Sequence, residues 1–416
     1  MAEKYVLDSG MSLVMEYMPQ LRSVSAGLWI NAGSAYEESE QAGISHFLEH
    51  LLFKGTQKRS AMDIAAAMES VGGVLNAFTS RENTCYYTRA LDEHFELCLE
   101  LLSDMYHNSL IESVEVEREK NVIIEEINMY EDSPDEVAVD LFNATLWPDH
   151  SYGRSVAGSI ETVGCINRDS IAEYWQQNYC PGNTVLSIAG NVKPEQAIGL
   201  AETLFARDPG HKNKSLEAPI NRAGDSTAIK DIEQNHICLG FPGVSLQDPD
   251  YYPAAIIVNA LGGGASSRLF QEVREKRGLS YSVFAYLETL NKAGHVMAYS
   301  STRPENSKEL IEVIVDQFAV LKEKGLTDEE MKRSKDQLKG NLLLSQENSS
   351  NVMSQLGKTE LAFGRPHTAA ERVEKLLLVT REDIERVTAR IFCPGTMVLT
   401  QVGPRPCQAE AGRLFS

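Results

Sequence analysis

The sequence predicts an α+β fold built as two homologous α/β domains, each an antiparallel-rich sheet with helices packed on one face. Three observations carry this. The chain has 416 residues, beyond the roughly 250–300 at which a single hydrophobic core stops growing. Period-2 strand patterns and period-3.6 helix patterns are interleaved along it. After one long polar stretch, the order of elements starts again. With 43% hydrophobic and 24% charged residues, the composition is that of an ordinary folded protein, which excludes disorder as the main state.

In the first half, residues 12–16 and 23–30 alternate as strands do. Residues 44–53 and 61–71 carry helical periodicity, and 74–89, rich in Thr, Tyr and Phe, reads as a strand pair. Residues 94–107 and 114–130 are helical runs with charged flanks, and 184–190 is a closing strand. Residues 207–231 contain Asp208-Pro209-Gly210 and Asn213-Lys214-Ser215. They are the expected linker between a domain at 1–206 and another at 232–416. Beyond it come a strand at 236–241, a helix at 252–261, a strand at 279–288, helices at 307–324 and 328–344, and a strand at 396–403 that echoes 184–190. Residues 115–120 can be laid on 330–335 at a constant offset of 215. The halves therefore read as a diverged internal duplication.

Charge and cysteine usage narrow the function. There are 39 Lys+Arg against 59 Asp+Glu, a net charge of −20. That argues against a general affinity for nucleic acid and against docking on anionic membranes. No run of 18 or more apolar residues occurs, so no membrane span is expected. The seven cysteines are scattered without a C-x-x-C pair, which suggests neither a disulfide framework nor a cysteine-bound zinc. The start, Met1 to Asp8, lacks a cationic segment followed by an apolar run. The expected location is the reducing cytoplasm.

The most informative residues are His46-Phe47-Leu48-Glu49-His50. Positions four apart share a helix face, so His46 and His50 can grip one ion together. Glu49 lies beside them, where a carboxylate can take a proton from water at the metal. This is the inverted order of H-E-x-x-H, an H-x-x-E-H zinc-peptidase pattern. Two surface histidines sharing a face would give the same five letters. A catalytic zinc needs a third protein ligand. On the helix at 114–130, Arg118, Asn121, Glu125 and Asn128 form one polar stripe, whereas Glu119, Val122, Ile123, Glu126 and Tyr130 form the opposite one. Carboxylates on an apolar stripe are costly unless paired or metal-bound. Glu126 is thus the ligand candidate and Glu119 its supporting carboxylate, although a helix edge with solvated glutamates has the same periodicity.

His46-Phe47-Leu48-Glu49-His50, with Glu119 and Glu126 following 69 and 76 residues after His50, resembles the pitrilysin family of zinc metallopeptidases, in its short bacterial form. That family includes insulin-degrading enzyme and the mitochondrial processing peptidase. Gly43-Ile44-Ser45 before the motif, Leu52-Phe53-Lys54-Gly55-Thr56 after it and the stretch Leu75-Asn76-Ala77-Phe78-Thr79-Ser80-Arg81-Glu82 extend the likeness, which runs from about residue 7 to about residue 403. The resemblance implies one Zn²⁺ per chain on His46, His50 and Glu126, with Glu49 as general base. It implies an extended substrate, a peptide or unfolded polypeptide, added to the strand containing Asn76, Ala77 and Phe78.

Aligned on the first half, the second half has Ala255, Val258 and Asn259 in place of His46, Glu49 and His50, and Ser334 and Asn341 in place of Glu119 and Glu126. It lacks every ligand, like the family's inactive repeat. Arg274 and Tyr281 resemble the family's Arg/Tyr pair that contacts the substrate carbonyl region, with Arg277 a nearer rival to Arg274. Glu136 and Asp140 resemble the acidic residues with which the processing peptidase holds an arginine near the cut; a solvated acidic face is the plainer reading. Gly262-Gly263-Gly264 lacks the context of a phosphate loop and reads as a turn after a helix. His94, His107, His150, His211, His236, His295 and His367 are scattered singly, each read as surface or core. The resemblance makes this chain one half of a clamshell; a homodimer that encloses a chamber, with Arg274 and Tyr281 reaching the partner's zinc, is the expected way to complete it, and a monomer whose second domain folds back onto its own zinc is the alternative. A non-catalytic scaffold subunit of the same fold is the rival; its relatives lack parts of the zinc motif.

Overall fold

The computed structural model describes residues 2–206, 210, 215–409 and 415. The first sheet consists of β1 (Ala2–Val6), β2 (Ser12–Tyr17), β3 (Ser23–Ile30), β4 (Val74–Thr79), β5 (Thr84–Leu91) and β6 (Thr184–Gly190), in the order β1-β2-β6-β3-β5-β4. The second consists of β7 (Gly224–Ile229), β8 (Asn235–Pro242), β9 (Val283–Thr289), β10 (Gly294–Thr302) and β11 (Val398–Gly403), in the order β7-β11-β8-β10-β9. One pair in each sheet is parallel, β2 with β6 and β7 with β11; the other neighbours are antiparallel. Without β1, the first sheet repeats the order of the second, parallel pair included. This is the duplication in three dimensions, and the mixed, antiparallel-rich fold is the one expected.

The chain forms two compact units that do not follow its halves. One comprises Met1–Ile127, Ser155–Leu216 and Leu343–Glu371; the other comprises Asn128–Arg154, Glu217–Leu342 and Arg372–Ser416. The contiguous ranges 1–206 and 232–416 thus differ from the units by two exchanged segments. The reason lies in the strands. In β3, Leu28 and Ile30 join the main core with Phe47, Leu48, Leu99 and Leu102, whereas Trp29 points to the other face with Val14, Cys85 and Ala189. That second apolar face needs its own cover. Val352, Met353 and Leu356 of the helix Ser349–Phe363 supply it. Gly357 allows the close approach, since a Cβ there would lie 2.2 Å from Trp29 Nε1. In the other unit, the helix Pro134–Leu146 lies against β11, β8 and β7, with Ala138 and Phe142 buried. Each sheet therefore carries helices on its expected face and one more on the opposite face.

Of the expected linker, residues 207–209 and 211–214 lie outside the described residues, and residues 224–229 form β7, parallel to β11. This edge strand alternates between exposed and half-buried positions, so its polar sequence reads as a loop. β10 runs through Val296, Met297, Ala298 and Tyr299, all buried. With both faces covered it has no alternation to read. Among the described residues, no helix is long and apolar enough to cross a membrane.

Candidate metal centre

The helix Ile44–Leu51 buries Ile44, Phe47, Leu48 and Leu51 against the sheet. Its start is fixed by two devices. Gly43 sits at φ +96°, where a Cβ would stand 2.6 Å from the carbonyl oxygen of Ala157. The buried Glu37 carboxylate accepts the N–H groups of Gly43 and Ser45, both at 2.8 Å. These are otherwise unpaired donors of the first turn. The helix then presents His46 and His50 with ring centroids 4.7 Å apart.

The helix Ser113–Glu131 is held by buried Val116, Ile123 and Ile127. Arg118, Asn121, Glu125 and Asn128 are exposed, as expected. Glu119 is buried, only 4% exposed. Val122 and Tyr130, expected on the apolar stripe, are exposed instead, because the buried stripe runs 116, 119, 123, 127 and leaves them at its margin with Glu126.

Glu126 Oε2 lies 3.6 Å from His46 Nε2 and 3.5 Å from His50 Nε2, and the three donor atoms all fall within 4.8 Å of one another. These gaps are long for hydrogen bonds. Zinc bonds of about 2.0–2.1 Å in tetrahedral array would place ligand atoms roughly 3.3 Å apart. Burial and the neighbouring His50 push His46 down to about 4, with Glu126 opposing, so its imidazole is neutral near pH 7, the form a metal requires. The donor set fits zinc. His50 Nδ1 meets Glu119 Oε2 at 3.2 Å, and Lys54 Nζ holds the other Glu119 oxygen at 2.7 Å. His46 Nδ1 has no hydrogen-bond partner among the described residues.

Glu49 stands between the two histidines in sequence, and burial raises its pKa. Its Oε2 accepts the hydroxyl of Thr79 at 2.5 Å. Thr79 ends β4, where Asn76, Ala77 and Phe78 pair on one side with Tyr87, Tyr86 and Cys85 of β5. On its other side β4 has no strand neighbour among the described residues.

His46, Glu49, His50, Glu119, Glu126 and Asn76 to Phe78 are therefore all in the first unit. Arg274 and Tyr281 belong to the second. The Arg274 guanidinium lies 4.1 Å from the centre of the Tyr281 ring and donates to the Tyr281 carbonyl at 3.1 Å, while Tyr281 is 81% exposed. Arg277 is engaged by the carboxylate and carbonyl of Glu272, so Arg274 is the partner of Tyr281. Glu136 and Asp140 are also in the second unit; burial, with Asp135 and Asp140 nearby, raises the pKa of Glu136. At the duplicated position, Asn259 donates to Gln337 at 3.1 Å, and Ser334 is buried as Glu119 is. Among the described residues His46, His50 and Glu126 form the one such cluster able to hold a metal. Sequence reasoning passes over the roles of Glu37, Lys54 and Thr79. Each acts on a residue distant or out of phase in the chain, and only a carboxylate ahead of a helix start hinted at Glu37.

A duplicated sheet-and-helix chain, with an H-x-x-E-H helix in one half and none of those ligands in the other, has the make-up of a zinc peptidase. Residues 12–159 match the insulinase family, peptidase family M16, and residues 166–338 match the peptidase M16 inactive domain. The chain belongs to this family. It is 39% identical over 392 residues to the uncharacterized zinc protease YmxG of Bacillus subtilis, covering 94% of this chain and 96% of that one. An uncharacterized zinc protease of Streptomyces coelicolor is 37% identical over 407 residues, covering 96% and 88%. Among solved structures, a protease from Helicobacter pylori superposes with a TM-score of 0.91 at 22% identity, covering 97% of this chain and 99% of that one. A chain of complex III2 from Candida albicans superposes at 0.87 and 18% identity, covering 99% and 98%. At these identities the two structures show the fold alone.

Proposed function

We propose that this chain is a zinc metalloendopeptidase that cleaves extended peptides and unfolded polypeptides. The observation that carries the reading is the convergence of His46 and His50 Nε2 on one oxygen of Glu126, with Glu49 on the same short helix. His46, His50 and Glu126 would hold one zinc ion per chain, which when bound supplies a Lewis acid for water and the peptide carbonyl. Glu49 takes the proton of the attacking water and returns it to the leaving amine as the C–N bond breaks. Glu119, clamped by Lys54, holds the His50 ring in orientation. The substrate adds to the free edge of β4 through main-chain hydrogen bonds at Asn76, Ala77 and Phe78. Arg274 and Tyr281 steady the negative oxygen of the tetrahedral state. The working form is a homodimer enclosing a chamber, each chain's Arg274 and Tyr281 serving the metal held by its partner. The scatter of seven cysteines without a C-x-x-C pair supports a location in the reducing cytoplasm.

Glu49→Gln should abolish cleavage of an unstructured peptide while zinc stays bound; persistent cleavage refutes the role of Glu49. Metal analysis separates this function from a scaffold role, because a scaffold carries no stoichiometric zinc. Glu136 and Asp140 give a preference for arginine on the N-terminal side of the cut. Profiling cleavage of a mixed peptide library with a Glu136→Gln, Asp140→Asn double variant should show that preference lost.

A further inference from the structure

We propose that Thr79 is the residue that positions Glu49, and that through it the strand receiving the substrate also aims the base. This rests on Glu49 acting as the base. The Thr79 hydroxyl has one proton, and its receiver can be deduced. Thr84 Oγ1, whose own proton goes to the carbonyl of Ala32 at 2.9 Å, could accept it but lies 3.4 Å away, against 2.5 Å for Glu49 Oε2. Glu49 as a carboxylate can only accept. The 2.5 Å contact is therefore a donation from Thr79 to Glu49 Oε2, of the short charge-assisted kind. It occupies one carboxylate oxygen and leaves Oε1 as the proton-accepting atom.

The holder is stiff. Thr79 is β-branched, which restricts its χ1, and its backbone is paired with Thr84 in the β4–β5 ladder. Glu49, in contrast, ends a flexible side chain that would otherwise sample several rotamers. The same strand, one to three residues earlier, carries Phe78, Ala77 and Asn76 along the edge that has no strand neighbour among the described residues. A peptide docked there is aligned on the body that fixes the base, so scissile bond and carboxylate share one frame of reference. Thr79 thus contributes positioning, with no proton transfer of its own.

The test uses full-length zinc-loaded protein with Thr79→Val, which keeps the shape and removes the hydroxyl, and Thr79→Ser, which keeps the hydroxyl. The valine variant should lose about 10- to 100-fold in kcat, with KM within about twofold and zinc content unchanged, and the serine variant should recover most of that loss. A valine variant with wild-type kcat, or a serine variant as slow as valine, overturns the proposal. Should valine prevent folding, Thr79→Ala and Thr79→Ser decide in its place by the same comparison. Glu49→Gln assayed in parallel keeps the two readings apart: if it still cleaves, the base assignment has failed, whereas an inert glutamine variant beside a fully active valine variant condemns only the positioning role.

Discussion

Glu119 gives one oxygen to His50 and the other to Lys54, so the His50 ring is oriented by a carboxylate that is itself held. Removing such support typically weakens metal binding about 10- to 100-fold. Glu119→Gln should therefore release zinc to a chromophoric chelator at correspondingly lower chelator concentration, with its melting temperature in the metal-free state little changed. Unaltered zinc affinity would show that Glu119 is only a buried structural acid. The histidines and Glu49 were legible because their geometry is local: four residues make one helical turn. Glu126 was legible only as a candidate, since periodicity places a carboxylate on a face without saying what the face meets. Thr79 reaches Glu49 across 30 residues, and no pattern in the letters records that contact.

At the scale of elements, the helix carrying the histidines is eight residues long, too short to be stable alone in water. It depends on its apolar face and on its cap. Glu37→Ala would leave two backbone N–H groups near the buried start without their charged acceptor, at a cost of about 2–4 kcal/mol. Urea unfolding of the metal-free protein should show that loss, and Glu37→Gln should regain part of it through its one amide oxygen. A loss below about 0.5 kcal/mol, the level of an ordinary surface change, would mean water caps the helix equally well. An element with one wet face, such as the helix at 113–131, shows its period in the sequence. The helix Ser349–Phe363 does not: it meets the sheet through Val352, Met353, Leu356 and Gly357, and glycine adds nothing to an apolar stripe.

For the whole molecule, the proposed homodimer makes a prediction that neither half of the chain could make alone. Glu49→Gln protein and Arg274→Ala protein should each be inactive or weak. Mixed and allowed to exchange subunits, they should regain activity, because each mixed dimer holds one intact pairing of Glu49 with Arg274. A peptidase assay before and after exchange, with light scattering to follow the dimer, reads this directly; exchange without recovery rejects the shared site. The duplication itself was visible in sequence as one matching stretch at an offset of 215. The two exchanged segments were not, because they obey spatial neighbourhood rather than order along the chain.

The exchange has a consequence for how the protein is made. A ribosome delivers the chain from residue 1 onward, so all six strands of the first sheet are available once residue 190 has emerged. Its Trp29 face, however, is covered by residues 349–363. Until that late segment arrives, a nascent chain carries an apolar sheet face with no lid, throughout the synthesis of more than a hundred further residues. The N-terminal unit, which bears the candidate metal ligands, is therefore begun first and closed near the end. During that interval it is exposed to the aggregation that uncovered sheet faces invite and is a natural client for chaperones.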